Sequence, residues 1–291
     1  MKKNIPLAVI LVIMLMTFHI SYSQTKKTEI TLTKLWETDT ILKTAEAVRY
    51  HPGKDIIYVS NIGGLPPNKK DGDGYISLLS KNGKIVKHDW VTGIHAPKGL
   101  NFFNGKLFVG DIDTVVEIDV ETGKIENKHP ITNAVFINDL DIDTNGDIYV
   151  TDSQDEKIFK LVNDESSLWL DLKGFYPNGI LVEDNRILIL SSSKGELITI
   201  DKITKEKTVL ASGVRGGDGI VPINEGYILS AFQGEIYFAD KNMLNTPAIK
   251  LLDTRANKLN AADMSFIPKE NILLVPTFYG NTVVAYKLDY K

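Results

Sequence analysis

Downstream of residue 45 the chain repeats one pattern of polar and apolar positions. A short polar step leads into an apolar run, a turn follows, and another apolar run returns. The clearest runs cover residues 55–60, 106–110, 147–151, 186–190, 227–230 and 271–275, and each is followed by a further run, at 75–79, 115–118, 158–161, 197–200, 236–238 and 283–286. They are short, rich in β-branched and aromatic residues, and bounded by Gly, Asn and Asp, which predicts strands. Asn82-Gly83, Asn104-Gly105, Thr122-Gly123 and Asn145-Gly146 fall between runs. Asn-Gly supplies the positive φ angles that a tight hairpin needs.

The polar steps carry Glu46, Lys98, Asn138, Asn178, Asp218 and Asp263, at intervals of 52, 40, 40, 40 and 45 residues. A fixed period between about 20 and 50 residues marks a solenoid or a propeller. Four strands per unit and six units predict an all-β, six-bladed β-propeller with four-stranded blades. A β-sandwich is the competing architecture, but it gives no reason for the period. After Asp263 the chain has length for three strands only, and a solitary run at 31–36 precedes the first unit. That N-terminal strand is expected to supply the outer edge of the last blade, closing the ring and covering an exposed edge. An irregular insertion at 61–74 accounts for the long first interval. It is either a cover over a site or a mobile loop.

Composition sets further bounds. Residues 1–23 have Lys2 and Lys3, an apolar stretch at 5–18 and a small-x-small step at 21–23. This predicts a secretory signal peptide, with retention as a membrane anchor as the alternative. Residues 24–291 then form one propeller domain, exported to the periplasm or secreted, without membrane insertion after cleavage. The chain has no cysteine, so disulfides and thiolate metal sites are excluded. Loss of Lys2 and Lys3 takes the formal net charge from −4 to −6. A mildly acidic surface without a basic cluster argues against nucleic acid as a partner.

In a propeller the innermost strands line a central channel, so the six polar steps should ring one mouth. Glu46 and Asp218 bring carboxylates and Asn138 and Asn178 bring amide oxygens. An oxygen-only set of this kind suits calcium, magnesium or manganese, and zinc accepts it too. Facing carboxylates without a counter-ion must repel or take up a proton, a conflict that a cation relieves. The competing reading has these Asn and Asp side chains fixing local turns.

Glu46 in Ala45-Glu46-Ala47-Val48, Asn138-Asp139, Pro177-Asn178-Gly179 and Asp218-Gly219, in that order on six repeats, resemble the senescence marker protein (regucalcin)/gluconolactonase family. The resemblance spans the mature chain. It implies a divalent cation, calcium first, held by Glu46, Asn178 and Asp218, with Asn138 against substrate. It also implies opening of a cyclic ester, such as a sugar lactone, with a water activated at the metal. Asp218 would be the catalytic base in this scheme, so no serine nucleophile is needed. The chain departs from the family in two places. Ala47-Val48 stands where Gly-Pro is common, and Phe136 stands where an arginine holds substrate. Lys98 or Arg215 could supply that cation instead. Phe136 itself favours a more apolar or larger small-molecule substrate. A propeller that binds a ligand or protein without catalysis is the alternative function.

Several signals are set aside. Residues 141–152 follow an EF-hand-like order but lie in strand context around an Asn-Gly turn. Residues 71–74 read as a turn. His95 is close enough in sequence to Lys98 to approach the mouth, though a surface position is expected. Trp36, Trp90 and Trp169 read as packing between blades.

Overall fold

The computed structural model describes residues 29–290. The segment read as a signal peptide lies outside them. Six sheets, each with four antiparallel strands, follow one another around the ring. Their innermost strands are Ala45–His51, Pro97–Phe103, Ile137–Ile142, Pro177–Val182, Gly217–Pro222 and Ser265–Ile267. Among the described residues the only helical pieces are two 3₁₀ turns, Arg255–Asn257 and Pro268–Glu270. The molecule is a six-bladed β-propeller, and its last blade is closed as expected. Strand Ile30–Glu37 pairs with Val283–Tyr290 at the outer edge of the sixth sheet.

Alternation along each strand builds the core. Every pair of neighbouring blades shares one apolar cluster. Tyr58, Ile76 and Val91 of blade one meet Leu107, Val109 and Val116 of blade two, for example. Leu188, Leu190 and Leu210 of blade four meet Ile228's neighbours Tyr227 and Leu229 of blade five. Trp36, Trp90 and Trp169 pack partly buried against three of these inter-blade clusters. One blade exceeds the expected four strands. Thr246–Pro247, from the connection in blade five, pairs in parallel with Lys207–Ser212 of blade four. It covers part of that outer edge.

The EF-hand-like segment is a hairpin. Asp143 Oδ1 accepts from the amides of Asn145 at 2.9 Å and Asp147 at 3.1 Å, so it fixes a turn and is spent there.

Candidate functional site

Each of the first five inner strands opens with a break in register. The pairing shifts between Ala45 and Ala47, Pro97 and Leu100, Ile137 and Leu140, Pro177 and Ile180, and Gly217 and Ile220. Within those bulges sit Glu46, Lys98, Asn138, Asn178 and Asp218. A bulge releases a residue from the ladder and re-aims its side chain, which is why bulges recur beside active sites. All five side chains line one cavity of about 340 Å3 at the channel mouth, together with Phe136.

The sixth position differs. Thr151 of blade three donates its hydroxyl to the carbonyl of Asn178 in blade four at 2.7 Å. Ser230 of blade five makes the same bond to Ala262 of blade six at 2.8 Å. Ala262, not Asp263, is therefore the equivalent of the other five. Asp263 is one residue further on, in register with Asp139, and does not line the cavity. The regular strand of blade six begins only at Ser265, so counting along the apolar run misplaces its start.

Local bonds hold the floor in place. Both carboxylate oxygens of Asp111, at the end of the second strand in blade two, take the amides of His95 and Ala96 at 2.8–3.2 Å. This shapes the approach to Lys98. Lys98 is 2 % exposed; its ammonium donates to the Ala96 carbonyl at 3.0 Å and lies 4.4 Å from the centre of the Phe136 ring. Burial pushes the Lys98 ammonium pKa down to about 8, against the opposing charges of Glu46 and Asp111. Arg215 is exposed and does not line the cavity, so Lys98 is the cation there.

Glu46, Asn178 and Asp218 are all buried. Burial, then repulsion from Asp218, drives the Glu46 carboxyl well above the ordinary carboxylate range, with Lys98 pulling the other way. Burial and Asp263 do the same to Asp218. Glu46 Oε2 and Asn178 Oδ1 are buried without any hydrogen-bond partner. Such orphaned acceptors are uncommon and call for a ligand or ion. Two carboxylates and an amide oxygen lining one cavity, with unsatisfied acceptors on Glu46 and Asn178, fit a hard divalent cation. The set is lean in charge, because among the described residues no three His, Cys, Asp or Glu side chains cluster as metal ligands do. Water would have to complete the shell.

Below the floor lies a second polar group that the sequence reading missed. Asp139, Asp141 and Asp263 are buried, and Arg49 lies 3.6 Å from Asp263. Asp139 accepts from Ile180 N at 2.9 Å and Asp141 from Val182 N at 2.6 Å, tying blade three to blade four. Alternation after each bulge could have revealed Asp139 and Asp141 as the inward residues that follow Asn138.

Loops complete the walls. Ile62 and Pro67 come from the insertion at 61–74, and Lys70 in that insertion pairs with Asp113 of blade two at 2.5 Å. Ser192, Phe232 and Phe278 follow the ends of second strands, a position that also faces the mouth. His95 is half-buried and does not line the cavity.

A larger cavity, about 650 Å3, opens near the far ends of the inner strands around Arg49, Tyr50, Pro222 and Ile267–Glu270. Lys81 there is paired with Asp55 at 3.4 Å and with Glu270 at 2.6 Å. None of the orphaned buried acceptors lines it. The chemistry therefore points to the smaller cavity.

No family model matches the sequence, and no curated relative does. Among solved structures, the chain is similar to virginiamycin B lyase from Staphylococcus aureus. A catalytically inactive variant with quinupristin gives a TM-score of 0.61 at 12% identity, over 90% of this chain and 99% of that one. The selenomethionine-substituted enzyme gives 0.61 at 14% identity, over 89% and 99%. At this identity the likeness establishes the propeller fold.

Proposed function

We propose that this chain is an exported, divalent-metal-dependent hydrolase that opens a cyclic ester. In this reading it is akin to the senescence marker protein (regucalcin)/gluconolactonase family that its motifs resemble. One observation carries it: Glu46 Oε2 and Asn178 Oδ1 are buried without partners in a cavity that Asp218 also lines. Glu46, Asn178 and Asp218 would hold the cation, with calcium first and zinc, magnesium or manganese as alternatives. A bound cation polarises an ester carbonyl and acidifies water.

The chain's own residues supply the rest. Asp218 has a carboxylate oxygen to accept the proton that water gives up as it attacks the carbonyl carbon. Lys98, a cation fixed by Ala96 and Phe136, favours the negative charge that builds on the carbonyl oxygen. Asn138 orients the substrate from the adjacent blade. Collapse of the tetrahedral species breaks the ring C–O bond, and the proton passes to the leaving alkoxide. The product is a hydroxy acid.

The test is metal content of the purified protein, then pH-indicator assays on a lactone panel with and without chelator. Asp218→Ala should lose both cation and turnover. Unchanged hydrolysis in that variant would rule this mechanism out. The enzymes of similar fold are named lyases, so product analysis belongs in the same assay. An unsaturated product carrying no solvent oxygen would move the reading to elimination. Cation binding without turnover of any ester would move it to a binding module.

A further inference from the structure

Above the charged floor, one side of the mouth is built of aromatic rings. Phe232 of blade five packs edge-on against Phe278 of blade six, with ring centres 5.1 Å apart. Phe278 stands 4.8 Å from Tyr279, and Phe232 lies 6.1 Å from Tyr279. Phe278 is buried, whereas Tyr279 is 58% exposed at the lip. All three line the same cavity as Glu46 and Asp218. Phe136 belongs to blade three, which topology places across the axis from blade six.

This wall is held at a cost. Phe278 has φ of 44°, a left-handed conformation that a bulky residue rarely takes. Its amide donates to the Ala45 carbonyl at 3.1 Å, one residue before Glu46. The turn that carries it is clamped by the hydroxyls of Thr277 and Thr282, 2.9 Å apart. Backbone held in sparsely populated conformations clusters where geometry serves function.

A polyhydroxylated sugar lactone wants hydrogen-bond partners on every side. Above the floor, the side chains of Ser192 and Gln233 and the hydroxyl of Tyr279 are the polar groups among the cavity's lining. The rest of the wall has ring faces and edges to offer, and these suit another ring. A volume of about 340 Å3 admits one or two fused rings and little more.

We propose that the ligand of this cavity is an ester whose carbonyl adjoins an aromatic or apolar ring, seated against Phe232, Phe278 and Tyr279. The ester half rests on the function proposed above; the aromatic half rests on the wall alone. Two ligand pairs separate them. The first pair, dihydrocoumarin and glucono-δ-lactone, is assayed for hydrolysis by the calcium-loaded protein. The second, their lactam analogues, resists hydrolysis and reports binding by calorimetry.

The aryl lactam should bind at least roughly tenfold more tightly than the sugar lactam. Phe232→Ser and Tyr279→Ser should each weaken the aryl lactam by several-fold without changing calcium content. Tyr279 is exposed, so its variant guards against loss of folding. Aryl lactam binding that depends on the wall, with no hydrolysis of either lactone, overturns the hydrolase reading and supports this one. Hydrolysis with a preference for the sugar lactone does the reverse. Absence of aryl lactam binding, or binding indifferent to both substitutions, overturns the proposal.

Discussion

A β-carbon on Gly179 would stand 2.0 Å from the carbonyl oxygen of Asp218. The inner strands of blades four and five therefore meet backbone to backbone between two of the proposed ligands. Gly219 repeats the relation one blade on, where a β-carbon would fall 2.9 Å from the Cα of Asp263. These glycines let the ring close tightly enough for side chains from separate blades to share one opening.

Gly179→Ala should force the two strands apart. Overpacking of this kind costs about 1–3 kcal/mol, and occasionally more. Because Asn178 and Asp218 flank the intrusion, calcium affinity should fall with stability. Urea unfolding and calcium titration read the two effects. Wild-type values in both would show that the strands yield without moving the site.

The carboxylates predict an unusual pH profile for the metal-free protein. Burial and neighbouring charge raise Glu46 and Asp218 well above their ordinary values, and burial first of all raises Asp263 to about 6. A raised folded-state pKa means that the folded protein binds more protons than the unfolded one. Its stabilising contribution is complete below the unfolded value near 4 and is lost as pH rises through 6 and beyond. Calcium, which binds the ionised forms, should remove that decline. Urea midpoints from pH 4.5 to 8, with chelator and with calcium, check this. A metal-free midpoint that rises steadily to pH 8 contradicts it.

The strands and the ring were legible in the sequence because both obey local rules. Runs at 106–110 and 186–190 became strands Lys106–Asp111 and Arg186–Ser191, bounded by the turns that their flanking residues encode. Glu46, Lys98, Asn138, Asn178 and Asp218 were legible because one repeat places one residue at the mouth. Asp263 was misplaced because a bulge changes the count by one residue, and blade six begins irregularly. Alternation marks Asp139 and Asp141 as inward-facing, but their partnership with Arg49 and the aromatic wall left no periodic trace. Their residues meet across blades or sit in loops, and only ring closure brings them together.

Substitution of Lys98 would tell the proposed cation's site from the substrate's. Its ammonium feels the charge of Glu46 and would oppose a divalent ion bound there. Lys98→Met should therefore bind calcium more tightly, by at least roughly tenfold, because a unit and a double charge about 6 Å apart repel by about 1.4 kcal/mol even at the dielectric of water. The same variant should lose hydrolysis, by about a hundredfold in kcat/KM, through loss of charge stabilisation at the carbonyl oxygen. Opposite movements in affinity and turnover distinguish this role from a structural one, which would lower both.

Arg49 is the counter-charge to the lower acidic group. Its Nε donates to the Leu100 carbonyl at 2.8 Å, and its guanidinium reaches Asp263 at 3.6 Å. It also pulls Asp139 and Asp141 downward against the burial that raises them. Arg49→Met leaves three buried carboxylates without a cation, and breaking a buried pair costs about 3–5 kcal/mol. Those carboxyls then climb further, so more of the stability they lend as neutral groups is lost as pH rises. The variant should fall further below wild type at pH 8 than at pH 5, as read by urea unfolding at each pH. An equal deficit at both would mean that Arg49 acts through the Leu100 bond and packing, with its charge of no account.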